Sequence, residues 1–350
     1  MTRRRRRNLF APRNAVIYSS AVRNLILFLL VVFAVSACAV NVRAQRHPPM
    51  VEQQRDAEKE KYYAAFHELR RVPLADNQRR AYEAALEYLK RFEGDRDADA
   101  RTVRLFVNEY ERAGIQHKLL STYNSKDYAK TFAVGRPVLE RDPENFFVLS
   151  ILAEAGFDNF QAGKPELNEA TLDYAKQAIK LLEAGKVTKA DPFKDMETAR
   201  GYLNVAVATL LRDKSPVEAA QAFRKAAKSE SFYREDPIIY HRLGIAILKG
   251  EFAQLSTEYN EKYGSQQTSA AQQAMLERIQ KVGEQAIDAY ARAVALTDPA
   301  RAQGANRPQI SPEARNKILE QLTALYKSFH NNSDVGLSEL IATVLSKPLP

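Results

Sequence analysis

Apolar residues recur at helical spacing along almost the whole chain after Pro48-Pro49. This spacing places them on one face of an α-helix, whereas a half-buried β-strand needs strict alternation of apolar and polar residues. The 350 residues include only 13 Gly and 15 Pro, which leaves little turn chemistry for a many-stranded sheet. The pattern predicts an all-α protein with helices over roughly residues 52–71, 77–92, 98–113, 126–141, 145–160, 166–184, 193–212, 216–229, 237–249, 268–297, 312–330 and 335–345.

Several helix ends carry recognisable signals. Ser215-Pro216-Val217-Glu218 combines an N-cap serine, a proline at the first helical position and a capping-box glutamate. Asp236-Pro237 and Ser311-Pro312 repeat the combination of cap and proline. Gly114 and Gly185 stand where we expect helices to stop, because glycine adopts the left-handed conformation of a helix C-cap readily.

A run of 16 residues, Leu25–Val40, is apolar except for Ser36, and seven of the nine arginines in the first 50 residues precede it. A cationic segment followed by such a run is typical of an export signal, and the excess of arginine before it predicts a cytoplasmic amino terminus. The run is slightly short for a transmembrane helix. We expect residues 1–44 to form a signal peptide, a lipoprotein signal or a membrane anchor, and residues 45–50 to form a tether.

The apolar run ends in Val35-Ser36-Ala37-Cys38, which resembles the lipobox of bacterial lipoproteins. The resemblance implies lipid attachment at Cys38, the only cysteine of the chain. Two alternatives remain open: cleavage before Gln45, after the small residues of Val42-Arg43-Ala44, and retention of the whole segment as a signal anchor. Each places the body on the periplasmic side of a bacterial cell envelope, anchored by membrane or lipid, or free in the periplasm or secreted after cleavage before Gln45.

The formal net charge of +9 comes entirely from those first 50 residues, which contain nine Arg and no Lys, Asp or Glu. The remaining 300 residues carry 43 basic and 43 acidic side chains. A protein that binds nucleic acid needs a surplus of cations on one face to neutralise phosphates. The body has no such surplus, so we expect no nucleic-acid partner, and we expect a membrane contact only through the N-terminal segment.

Pairs of helices with bulky residues in the first and small residues in the second recur along the body. The clearest first helix is Tyr240–Ile247, and the clearest second helices are Ala219-x-x-x-Phe223-x-x-Ala226 and Ala286-x-x-x-Tyr290-x-x-Ala293. This pattern resembles the tetratricopeptide repeat, a helix pair of about 34 residues. The resemblance implies an α-solenoid of antiparallel helix pairs that exposes a concave protein-binding surface.

The resemblance is clearest over residues 120–300 and has two departures. The interval between Gly244 and Ala286 is longer than the repeat allows, which predicts an insertion at residues 250–282. Gly135-Arg136-Pro137 puts a proline inside an expected helix and predicts a kink there. The resulting division is an N-terminal helical region over 51–120 and a repeat domain over 121–350.

The resemblance also implies which residues would line the protein-binding groove. The family exposes to the groove the position after the first bulky residue of each first helix and the position one turn later. Those positions correspond here to Ser150, Glu154, Asn204, His241 and Arg242. Their polar groups could bond the backbone or the charged ends of a protein or peptide ligand.

Catalytic and cofactor signatures are missing from the sequence. The five histidines have no metal-ligand spacing, a second cysteine for a zinc site is lacking, and neither a phosphate loop nor a nucleophile elbow is recognisable. We therefore expect no cofactor, no metal site and no catalytic residue, and favour a non-enzymatic interaction scaffold or adaptor of the envelope. The alternatives are a lipoprotein subunit of an outer-membrane biogenesis, secretion or glycan-handling machine and, less favoured, an enzyme whose site the sequence does not reveal.

Overall fold

The computed structural model of the protein describes residues 50–263, 269–298 and 310–350. These residues form α-helices with short 3-10 and π turns, and no β-strand occurs among them, so the expected all-α class is confirmed. None of the described helices has the length and apolarity needed to cross a membrane. The helices are α1 Met50–Arg71, α2 Ala75–Arg91, α3 Ala98–Asn124, α4 Tyr128–Arg141, α5 Phe146–Gln161, α6 Asn168–Glu183, α7 Met196–Leu211, α8 Pro216–Lys228, α9 Pro237–Ile247, α10 Ala253–Tyr263, α11 Ala270–Leu296, α12 Pro312–Phe329 and α13 Leu337–Thr343.

The predicted export segment, Cys38 and nearly all of the tether lie outside the described residues. The described part divides into two compact units, one up to Ala113 and one from Gly114 to Pro350. This boundary falls inside α3, seven residues before the predicted division between residues 120 and 121.

The structure corrects two expectations about helix boundaries. Gly114 does not stop a helix: α3 continues through it to Asn124. A single glycine costs only about 1 kcal/mol relative to alanine inside a helix, and helical apolar spacing resumes beyond it. The insertion at 250–282 contains a helix that the prediction lacked, α10, which follows a π turn over Leu248–Phe252.

The helix caps follow the sequence signals in most places. The Asp236 side chain accepts a hydrogen bond from the Ile238 amide, and the Ser311 hydroxyl accepts one from the Ala314 amide. Gly185 follows α6 with a φ of 66°, as expected of a C-terminal stop. The predicted capping box at Ser215 is wrong, because the Ser215 hydroxyl donates to the Glu218 carboxylate and caps no amide.

The first unit packs α1 against α2 around an aromatic core. Phe66 and Tyr88 are fully buried there, and the Phe66 and Phe106 rings meet edge to face with centroids 5.2 Å apart. At one edge of this unit the Lys59 ammonium donates to the Asp95 carboxylate. Hydrogen bonds from Lys59 and Arg55 hold the pKa of Asp95 below its ordinary value.

In the second unit, each helix packs on the next along the chain from α4 to α9, and α9 then packs on α11 and α11 on α12. α5 also contacts α7 directly. The helix α8 is rich in alanine, and its residues Ala219, Ala222 and Ala226 are all buried. Small side chains let neighbouring helices approach closely, which is the packing that the sequence pattern predicts.

Glycine makes the closest helix contacts in this unit. A Cβ added at Gly156 of α5 would lie 1.7 Å from Oγ1 of Thr171 on α6. A Cβ at Gly244 of α9 would lie 2.6 Å from the ring of Tyr290 on α11. Neither distance is possible between real atoms, so only glycine fits at these two crossings.

The Arg292 side chain of α11 binds the backbone of the C-terminal residues. This side chain is only 4 % exposed. Its Nε donates to Asp288 Oδ1 at 2.6 Å, and Nη2 donates to the carbonyl oxygens of Lys347 and Pro348 at 2.9 and 2.8 Å. Charge-assisted hydrogen bonds of this kind hold an irregular segment against a helix.

Replacing Arg292 by methionine, which has similar length and no donors, is expected to lower the free energy of unfolding by about 2 kcal/mol, since a half-buried Asp288 then loses its partner. Amide hydrogen exchange at residues 344–350 should accelerate at the same time. Arg278→Met, on the same helix at a 62 % exposed side chain, should change stability by less than about 0.5 kcal/mol. Equal effects of the two substitutions would contradict the assigned role of Arg292.

Candidate functional site

The five residues predicted to line a groove lie on alternate helices of the second unit. Ser150 and Glu154 are on α5, Asn204 is on α7, and His241 and Arg242 are on α9. Ser150, Asn204 and Glu154 are 0, 2 and 5 % exposed, whereas His241 and Arg242 are half-buried. The first three are therefore deeper than a solvent-exposed groove position would be.

Ser150 and Glu154 stand one turn apart on the same face of α5. Neither the Ser150 hydroxyl nor Glu154 Oε2 has a hydrogen-bond partner among the described residues, and both atoms are shielded from solvent. A buried polar atom without a partner costs about 1–3 kcal/mol, and native proteins keep few of them. Two such atoms on one helical face mark this position as a site with unused bonding capacity.

A second carboxylate and three tyrosines surround this position. Asp158 lies one turn beyond Glu154 on α5, and the hydroxyl of Tyr123, near the end of α3, donates to Asp158 Oδ2 at 2.9 Å. We call Glu154, Asp158, Tyr123, Tyr202 and Tyr233 the Glu154 cluster. Tyr202 belongs to α7, and Tyr233 belongs to the 3-10 turn Phe232–Glu235 that precedes α9.

Burial controls the protonation of the Glu154 cluster. It raises the pKa of Glu154 to about 8, and the neighbouring charge of Asp158 acts in the same direction. Burial also raises the pKa of Asp158, although the Tyr123 hydrogen bond opposes the shift. No Lys or Arg of the described residues forms an ion pair with either carboxylate. Glu154 is thus predominantly neutral at pH 7 and acquires its charge only above that pH.

The tyrosines of the cluster are held by packing against neighbouring backbone and rings. The Phe157 and Tyr202 rings meet edge to face with centroids 5.9 Å apart. The ring of Tyr233 lies against the backbone at Gly201, where a side chain would leave no space. Burial, followed by the charge of Glu154, raises the pKa of both Tyr202 and Tyr233. Their hydroxyls are therefore neutral at pH 7.

Asn204 uses part of its bonding capacity within its own helix. Its Nδ2 donates to the carbonyl oxygen of Arg200 at 2.8 Å. The Arg200 guanidinium in turn donates to Glu197, whose other oxygen accepts from the Glu230 amide at 2.9 Å. These bonds tie the segment before the 3-10 turn to the beginning of α7.

His241 and Arg242 contact different neighbouring helices. The His241 Nε2 atom lies 2.9 Å from Oε1 of Gln321 on α12, and burial lowers the pKa of the imidazole. Arg242 Nη1 reaches Oγ1 of Thr209 on α7 at 3.5 Å. Burial lowers the pKa of Arg242, whereas the nearby Asp236 raises it. The structure therefore places Ser150 and Glu154 one turn apart on α5, whereas His241 and Arg242 of α9 contact α12 and α7.

Sequence reasoning missed four members of the Glu154 cluster: Asp158, Tyr123, Tyr202 and Tyr233. One signal was available, because Glu154 and Asp158 are spaced one helical turn apart with no Lys or Arg one turn away on either side. Two like charges at that spacing destabilise an isolated helix, so they indicate an environment that tolerates them. The tyrosines belong to three other segments of the chain, and no local sequence pattern predicts that they lie close to Glu154.

The described residues contain no group of three or more His, Cys, Asp or Glu side chains arranged to hold a metal ion. The fold and the Glu154 cluster therefore identify a broad class of protein: an all-α protein with a buried polar site that lacks hydrogen-bond partners among the described residues. No protein-family model, curated protein or solved structure matches this chain.

Proposed function

We propose that this protein is a non-enzymatic scaffold or adaptor that binds another protein or peptide through a surface formed by α5, α7 and α9. The observation that carries the proposal is the unused bonding capacity of Ser150 and Glu154, two buried side chains with unpaired polar atoms on one face of α5. A partner that contributes donors and a positive charge would satisfy these atoms at binding.

Stacked helix pairs of the tetratricopeptide type would place these three helices side by side. The direct contact of α5 with α7, in addition to the contacts within each helix pair, supports such stacking. In this arrangement α5, α7 and α9 form the inner layer of a solenoid, and α6, α8 and α11 form the outer layer. The inner layer then carries Ser150, Glu154, Asn204, His241 and Arg242 on one concave side.

A photocrosslinking experiment in the native envelope tests this function. The full-length chain carries p-benzoylphenylalanine in place of half-buried Tyr233 or, as a control, in place of exposed Glu140 on α4. We expect discrete crosslinked proteins at position 233 that are missing at position 140. The same products at both positions, or none at position 233, would refute a binding surface on α5, α7 and α9.

The N-terminal segment supports an envelope location, with Cys38 as the point of lipid attachment. Replacing Cys38 by alanine is expected to abolish incorporation of radiolabelled palmitate and to release the protein from the membrane fraction of a bacterial host. Ser36→Ala, two residues earlier, should keep both properties because a small residue remains before the cysteine. If Cys38→Ala changes neither readout, cleavage before Gln45 or a retained signal anchor is correct instead.

A lipoprotein subunit of an outer-membrane biogenesis, secretion or glycan-handling machine is a narrower form of the same proposal. Palmitate incorporation that depends on Cys38 would favour it over a free periplasmic adaptor.

A further inference from the structure

We propose that the Glu154 cluster receives one cationic side chain of the partner, a primary ammonium of the lysine type. This inference rests on the proposed function and adds to it the chemistry of the ligand. The ammonium would lie between the Glu154 and Asp158 carboxylates, with the Tyr202 and Tyr233 rings on its sides.

The first observation that supports a cation site is a buried oxygen atom that receives no hydrogen bond. Glu154 Oε2 is buried without a hydrogen-bond partner among the described residues, in a side chain that is 5 % exposed. Once Glu154 is ionised, its carboxylate accepts hydrogen bonds only, so a donor from a ligand would satisfy this atom. An ammonium has three donors, which matches Glu154 Oε2, Asp158 and one tyrosine hydroxyl.

The second support is the distribution of charge around the carboxylates. The groups that face them are Tyr123 of α3, Tyr128 of α4, Tyr202 of α7 and Tyr233 of the 3-10 turn. Burial raises the pKa of Tyr128, Tyr202 and Tyr233, and the positive charge of Lys126 acts on Asp158 without forming an ion pair with it. Two adjacent carboxyl groups without a paired cation form a site that an anionic ligand cannot enter and that a cation stabilises.

The third support is the aromatic character of the site. The faces of tyrosine rings attract a cation, and the attraction grows when the cation is removed from water. A lysine side chain reaches a buried carboxylate through a thin apolar stem, whereas a guanidinium is broader and needs a flat, two-pronged partner. Asp158, Tyr202 and Tyr233 are half-buried, so part of the cluster remains accessible to solvent although Glu154 Oε2 is shielded.

Ammonium binding has a consequence that neutral ligands lack. Free Glu154 is predominantly protonated at pH 7, because burial raises its pKa to about 8. A bound ammonium favours the carboxylate, so the O–H bond of Glu154 breaks and its proton passes to the buffer. We expect release of close to one proton for each ligand bound at pH 7.

Peptide display on the purified full-length protein provides the first test. Random heptapeptides selected on the protein should share a lysine at one position, and the preference should vanish on the Glu154→Gln protein while persisting on Glu140→Gln. Enrichment of sequences without a lysine, or a lysine preference that survives Glu154→Gln, would overturn the cation site and leave the proposed function standing. Failure to enrich any sequence would refute the proposed function together with this inference.

Calorimetry with the best synthetic peptide provides the second test. Replacing its lysine by norleucine, or Glu154 by glutamine, should weaken binding by about tenfold to a hundredfold, as expected for a lost charge-assisted hydrogen bond. Replacing the lysine by arginine should weaken binding less. Binding heats of the wild-type protein measured at pH 7 in phosphate and in Tris should differ by the difference between the two buffers' enthalpies of protonation, because about one proton is released. The two heats should be equal for Glu154→Gln. Equal heats for the wild-type protein in the two buffers would contradict an ionising Glu154.

Discussion

Glu154→Gln is expected to stabilise the protein at pH 8 and to leave its stability almost unchanged at pH 5. Burial raises the pKa of Glu154 from 4.5 to about 8. Between these two values the folded protein keeps a proton that the unfolded chain has released, so unfolding releases a proton and rising pH favours it. Glutamine cannot ionise, and the substituted protein therefore avoids this loss.

The size of the effect follows from the proton linkage. One proton changes the free energy of unfolding by at most about 1.4 kcal/mol per pH unit. We expect the wild-type protein to lose on the order of 3 kcal/mol between about pH 5 and pH 8 through Glu154, and Glu154→Gln to lose correspondingly less. Asp158 acts in the same direction because burial raises its pKa as well, so some pH dependence should remain.

Chemical denaturation of the full-length protein at several pH values measures this difference directly. Glu140→Gln is the matched control, because Glu140 is exposed on α4 of the same unit. Its profile should coincide with that of the wild-type protein. If Glu154→Gln shows the wild-type slope, the Glu154 carboxyl is not buried in the folded protein and its part in a cation site is lost.

Gly156→Ala is expected to lower the free energy of unfolding by about 2 kcal/mol, the usual size of an overpacking effect. The new Cβ would lie 1.7 Å from Oγ1 and 2.8 Å from Cβ of Thr171. The added methyl group would also lie 3.1 Å from Cζ of Phe132, so we expect α5 and α6 to separate in order to accommodate it. The effect would report on the helix contact itself.

A double substitution separates this contact from a general loss of helix quality. Thr171→Ala removes the atom that the new Cβ meets first, so Gly156→Ala should cost less in its presence, with a coupling of about 1 kcal/mol. Gly114→Ala is the control, because no neighbouring atom lies within 4 Å of a Cβ there. We expect it to stabilise α3 by about 0.5–1 kcal/mol. Independent effects of Gly156→Ala and Thr171→Ala would contradict the close crossing of α5 and α6.

The helical spacing of apolar residues and the caps at Asp236 and Ser311 predicted most of the secondary structure, because these signals act within a few residues. The predicted end of α3 at residue 113 was wrong for a physical reason. A glycine ends a helix only when the residues beyond it leave the helical conformation. Beyond Gly114 they do not. The π turn before α10 was also missed, since a locally widened helix has no sequence signature that distinguishes it from an ordinary one.

The candidate site was only partly accessible from sequence. The repeat resemblance selected Ser150 and Glu154, which do share one face of α5, yet it treated them as exposed groove residues. Their burial depends on packing against other helices, and Tyr202 and Tyr233, which interact with Glu154, belong to segments distant in the chain. Local patterns carry no information about such an approach, so neither the raised pKa of Glu154 nor its unpaired oxygen could be predicted.

Hydrogen–deuterium exchange tests whether α5, α7 and α9 present one protein-binding surface. The full-length protein is compared alone and in complex with the protein that crosslinks to position 233. We predict slower exchange of residues 146–161, 196–211 and 229–247 in the complex, with residues 50–113 unchanged. Protection confined to residues 50–113 or to α12 and α13, with α5 and α7 unaffected, would contradict it.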